Sequence, residues 1–146
     1  MLTDAVRERM EDQVDSLAGR VQEAADLAAL VKAGRWPASP LAAFVLPLGV
    51  RALSQGDAAA GVFTQMLDET VGILIVQQAA GDLTGKTALP KIDTLIATLI
   101  AKIAGWRPSG VFGVFRVARG QMLSADNGRV IYQLDFTIQN QVRNLS

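Results

Sequence analysis

An α+β fold is what this sequence predicts: a largely antiparallel sheet of four to five strands with helices packed on one face. Three observations carry it. Ile92, Leu95, Ile96, Leu99, Ile100 and Ile103 recur with the spacing of one buried helical stripe. Val130, Tyr132, Leu134, Phe136 and Ile138 alternate with Ile131, Gln133, Asp135 and Thr137, the period of a strand with one face in a core. Residues 71–76 (VGILIV) are apolar at successive positions, as in a central strand covered on both faces. The elements follow in the order α-β-α-β-β-α-β-β, and the middle βαββαβ is the split βαβ pattern.

The first helix is expected over residues 4–17. Val6, Met10, Val14 and Leu17 form its stripe, Thr3 is placed to cap it, and Gly19 ends it. A short extended segment at 20–24 follows. Asp26 then reads as the N-cap of a short helix, 27–33, that buries Leu27, Leu30 and Val31 and stops at Gly34. Trp36, Pro37 and Pro40 break the chain. A strand at 41–51 contains Pro47, which cannot donate to a ladder and so marks an edge or a bulge. Residues 54–61 are a small-residue loop without periodicity, expected to be mobile. A long strand spans 62–78. The third helix tolerates Pro90 in its first turn and ends at Gly105 and Pro108. The last third is a hairpin of 114–123 and 129–138, with Asn127-Gly128 supplying the positive-φ positions of its turn.

Composition narrows the chemistry. The 146 residues suit one domain, and half of them are apolar, enough for a core. Lys+Arg and Asp+Glu balance at 14 each, which argues against the basic stripe of a dedicated DNA binder. The chain has no cysteine and no histidine. That removes disulfides, thiolate zinc sites, Cys nucleophiles and His-based triads. No metal or cofactor site is expected. The N-terminus carries charge from Asp4 and no signal-peptide apolar region, and the longest apolar runs are too short to span a membrane. A protein made inside a cell and remaining soluble is the expectation.

Four features invite a chemical reading. Gly81-Asp82-Leu83-Thr84-Gly85-Lys86-Thr87 lies between a strand and a helix, the context of a phosphate-binding loop. A nucleotide-dependent enzyme is the alternative it raises. However, that loop needs four residues between its glycines and here there are three, so an ordinary strand-to-helix turn is the better reading. Asp68 and Glu69 are adjacent in a strand and point to opposite faces, so they read as solvated or interface carboxylates and not as a catalytic pair. Arg116, Arg119 and Arg129 could form a basic patch with Phe115 and Tyr132, as on an RNA-binding sheet. Alternation instead sends Phe115 and Tyr132 to the core and leaves the arginines in solvent. Trp36 and Trp106, each beside a helix end, read as lids on the core; exposed, either could anchor a partner.

Several stretches together resemble the tail terminator proteins of tailed bacteriophages, in particular those with long contractile tails. They are Leu2-Thr3-Asp4-Ala5-Val6-Arg7-Glu8-Arg9; Ala42-Ala43-Phe44-Val45-Leu46-Pro47-Leu48; Phe63-Thr64-Gln65-Met66-Leu67-Asp68-Glu69-Thr70; and, most specific, Gly105-Trp106, Gly113-Val114-Phe115-Arg116, Gly120-Gln121 and Tyr132-Gln133-Leu134-Asp135-Phe136. The resemblance implies a single structural domain, without catalysis or cofactor, that assembles into a six-membered ring. The ring would sit on the head-proximal end of the tail tube, end tube polymerisation and present the head-tail joining surface. Implied partners are other copies of the chain, the tail tube protein, a neck or connector protein and the sheath. No membrane is involved, and DNA passes through the lumen only as cargo. The protein would be made in the host bacterial cytoplasm and reside in the virion. Another head-tail connector or neck protein is the alternative within the same class. The candidate assembly surface is the polar face of the terminal hairpin, Arg116, Gln133, Asp135 and Thr137, with the loop residues Ser54, Gln55, Gly56 and Asp57. The tail at 139–146 is expected to be flexible until it binds.

Overall fold

A computed structural model of the chain describes residues 2–78, 86, 88–126 and 128–145. Its elements are α1 (Leu2–Gln13), β1 (Val21–Glu23), α2 (Ala24–Ala33), β2 (Leu41–Ala52), β3 (Val62–Gln78), α3 (Ala88–Ile103), β4 (Arg116–Asp126) and β5 (Arg129–Leu145). The predicted order and α+β class hold, and the sheet has five strands in the order β1-β2-β3-β5-β4. Only the β1–β2 pair is parallel. The apolar residues 71–76 lie in β3, the middle strand, as their two-sided hydrophobicity requires.

Helices α1 and α3 cover one face of the sheet. Met10, Leu17, Leu99 and Ile103 are fully buried there against Ile73, Ile75, Leu134, Phe136 and Ile138. Trp106 stacks on Phe115 at 5.6 Å, and Phe115 meets Phe136 edge-on at 6.4 Å. The Arg9 side chain ties the two helices by donating from Nε to the Lys102 carbonyl at 2.8 Å, with its guanidinium over Trp106. The shortest helix, α2, lies against a corner of the other face. Leu27 and Leu30 pack there on Ala42, Phe44, Leu74, Val76 and Ile131.

Topology explains that placement. Both β1-α2-β2 and β3-α3-β4 are parallel crossovers that step the same way across the sheet, but β3 runs opposite to β2. Two crossovers of one hand must then place their helices on opposite faces, and the strong right-handed preference makes them share a hand. Only the second unit is split, with β5 inserted between β3 and β4.

Several boundaries differ from the sequence reading. α1 stops at Gln13, Val14 is extended, and a 3₁₀ turn covers Asp15–Leu17. The Glu11 carboxylate accepts the Gly19 and Val21 N–H groups, which draws the chain back before the helix can continue. Thr3 lies within the first turn of α1 instead of capping it. α2 begins at Ala24, so Asp26 is not its N-cap; its carboxylate accepts the Glu23 N–H at 2.9 Å from inside the first turn. Val31 is exposed, because α2 covers only a corner of the sheet. Pro47 sits at a register shift of β2, before Gly49 at φ +141°. The hairpin strands run on to Asp126 and from Arg129, leaving a two-residue turn in which Gly128 has φ +76°; Asn127 is outside the described residues.

Candidate assembly surface

The face of the sheet away from α1 and α3 carries the predicted hairpin residues. Arg116 stands opposite Thr137, while Asp135 and Gln133 follow at alternate positions along β5. The sequence parity therefore placed these four on one face correctly. Gln133 donates from Nε2 to Asp135 Oδ1 at 3.0 Å. All three β5 side chains are half-buried, hemmed by β3 and β4 on either side.

Arg116 is not simply solvated. One of its amino groups donates to both oxygens of Asp68, at 3.0 and 2.9 Å, and the Arg51 guanidinium lies 3.6 Å from the same carboxylate. Asp68 is 6% exposed, so of the two expected readings, solvated or interface carboxylate, the solvated one is wrong. The Arg116 hydrogen bonds, with Arg51 at longer range, offset part of the cost of burying the carboxylate and leave donors spare on the solvent side. Glu69 faces the other way and accepts from Asn140 Nδ2 at 3.1 Å. The pair is split across the sheet, as alternation demands. Sequence reasoning missed Asp68 and Arg51 on this face. Parity alone could have put Asp68 with Thr70 and Gly72, but bringing Arg51 and Arg116 to it requires the pairing register of three strands.

The other predicted group, Ser54, Gln55, Gly56 and Asp57, sits at the tip of the β2–β3 hairpin. It is hydrogen-bonded back onto β3 and does not hang free. Ser54 Oγ accepts the Met66 N–H at 3.1 Å, its carbonyl accepts Gln65 Nε2 at 2.9 Å, and Asp57 and Thr64 exchange backbone bonds at 2.8 Å. Gly56, at φ +87°, lets the Phe63 ring close over the turn, where a Cβ would come within 2.6 Å of it. The expected flexible tail is likewise strand: β5 continues to Leu145, paired with the first half of β3 down to Val62. Thr70, Asp68, Met66 and Thr64 are successive residues of one face of β3, so the two predicted groups flank one strip about 20 Å long.

The remaining sequence candidates resolve as follows. Phe115 is buried and Tyr132 packs against the core, with its hydroxyl over Gly120, where any side chain would collide. Trp106 is a lid on the core, as read. Trp36 is 45% exposed; the Arg129 guanidinium lies 4.4 Å above its ring beside the cleft between α2 and the open face. In the 81–87 segment only Lys86 is among the described residues, and it is exposed. Among the described residues no group of acidic side chains could hold a metal ion, and no helix is long and apolar enough to cross a membrane.

Comparison with known proteins agrees with a structural reading. No curated protein matches the chain. Among solved structures, a chain of the virion of a native gene transfer agent particle shares the fold, with a TM-score of 0.55 and 15% identity over 97% of this chain and 95% of that one. The sequence model of a family described as phage tail terminator protein matches residues 1–145. The chain belongs to the phage tail terminator family.

Proposed function

We propose that this protein forms a ring that caps the head-proximal end of a phage tail tube, stops tube polymerisation and offers the surface to which the head joins. Family membership makes it a structural component of a phage tail. What favours a capping role is that a polar sheet face and a hydrogen-bonded hairpin tip stand open to a partner. One ring face would match the last ring of tube protein, and the other would refuse further tube subunits while accepting a neck protein, with the sheath as a further neighbour. The strip from Gln133 and Asp135 through Arg116 to Asp57 is the proposed contact surface. DNA would pass through the lumen without being read, and no step requires catalysis or a cofactor.

Purified protein added to polymerising tail tubes tests this. Capping predicts tubes that stop growing and carry density at one end. Tubes that lengthen unchanged, with no protein on their ends, would exclude the role in favour of another position in the neck.

A further inference from the structure

The two outer edges of the sheet are unfinished, and they differ in a complementary way. Among the described residues β1 pairs only with residues 43–45 of β2, so β2 has no strand neighbour there on its outer side from Leu46 to its end. β4, eleven residues long, has none on its outer side among the described residues. Apart from Pro47, which has no N–H, and the register shifts within β2 and β4, each edge presents backbone donors and acceptors that can pair with a strand. Eight of the eleven exposed large apolar side chains among the described residues cluster here: Leu48, Val50 and Leu53 on or just after distal β2, and Phe112, Val114, Val117, Met122 and Leu123 on β4 or its lead-in. Surface apolar residues of a lone domain have no reason to concentrate on its two edges.

Charge is less evenly divided. The N-terminal unit packs at the β1–β2 end of the sheet, through α1 on β1 and β2. Residues 2–26 hold seven carboxylates against three arginines. Glu8, Asp12 and Asp15 lie on its exposed side. Residues 105–145, which form the β4 end, hold five arginines against two aspartates, and Arg107, Arg116 and Arg119 are exposed there. α2 and β2 add Lys32, Arg35 and Arg51 to the first end, so the carboxylate excess belongs to the N-terminal unit and not to the β2 edge itself. A second copy of this chain fits both edges, because its own open β2 edge, running opposite to β4, can complete the open β4 edge of the first.

We propose that the outer edge of β4 in one copy pairs with residues 46–52 of β2 in the next, so that neighbouring copies share one continuous sheet. This rests on the ring reading above and names the contact that would build the ring. The pairing is antiparallel, since β4 runs opposite to β2, and it sets Val50 on the same face as Val117 and Met122. It is also head-to-tail, so rotation alone can close it.

The absence of native cysteine makes the test direct. Val50→Cys would be combined in turn with Val117→Cys, Met122→Cys and Ala125→Cys, and each variant assembled into tail-bearing particles and oxidised. At least one pairing should give a ladder of multimers of this chain on a non-reducing gel, while the single-cysteine variants give no more than dimers. Separately, Val50→Lys and Met122→Lys, at exposed positions and checked for native circular dichroism, should each cut ring loading at least tenfold. Mixed together they should form a discrete dimer, because each retains one intact edge. Rings visible end-on in wild-type particles with no ladder from any pairing, or both lysine variants loading like wild type, would overturn the edge pairing and leave the ring standing. Wild-type particles without a ring would overturn the proposed function itself.

Discussion

Asp68 is the residue whose role depends most on its surroundings. A carboxylate with this little exposure survives in a sheet because Arg116 donates to both of its oxygens, with Arg51 at longer range. Asp68→Asn keeps the shape and removes the charge, and should cost about 1–2 kcal/mol in urea unfolding, since hydrogen bonds to charged groups are the stronger kind. Arg51→Ala should change stability little, because that side chain is 78% exposed and its contact is long. Equal losses from both would mean that the pair is shared differently. Two glycines make a second contrast. A Cβ at Gly72 would come within 2.6 Å of the Leu48 Cδ1 atom, whereas one at Gly113 would come within 2.7 Å of the Gln139 backbone oxygen. The leucine tip is partly exposed and can swing away; the carbonyl is fixed in β5 and accepts the Gly113 N–H. Gly113→Ala should therefore cost about 1–3 kcal/mol and Gly72→Ala well under that, measured by thermal unfolding. At this scale the sequence told which face a side chain takes, as for Phe115 and Arg116. It did not tell which distant residue would meet it.

Among the elements, α3 and α2 mark the extremes of legibility. The α3 stripe was readable because six apolar residues keep one period, and five α3 side chains are buried. α2 carries almost as many apolar residues and buries none of them fully, because it meets only a corner of the sheet. Leu99→Ala should accordingly cost about 2–5 kcal/mol and Leu30→Ala less than half as much, by chemical denaturation with unchanged m-values. Similar costs would mean that α2 is more deeply seated than its exposure implies. The strands divide likewise. β3 was legible from end to end. The last third of β5 was not: Asn140, Gln141, Val142, Arg143 and Asn144 show no hydrophobic alternation, and they are strand because β3 offers them a ladder beyond the helices. Polar residues in a sheet follow the neighbouring backbone, which local sequence does not record. The loop at 54–61 was misread for the same reason, since its order comes from bonds to Thr64, Gln65 and Met66.

For the molecule as a whole, the class and element order were legible because each element announces itself locally. The candidate surface was legible only in part: parity gave its hairpin half, and the strand register joined that half to Asp68 and the tip. Gln133 and Asp135 are bonded to each other and not to the core. Replacing both with alanine should leave the fold within about 1 kcal/mol of wild type. It should also reduce attachment to tube ends, counted by electron microscopy. Tails that assemble normally would remove this strip from the contact surface.

The pairing of β3 with β5 also sets a timetable. Gln78 and Arg129 meet across 51 positions of chain, and Glu69 meets Asn140 across 71. The β2–β3 and β4–β5 hairpins close locally, so each can form before the central seam, whose long loop must close first without reward. Until that seam zips, both hairpins carry open edges, and a newly made chain is most vulnerable to joining the wrong neighbour.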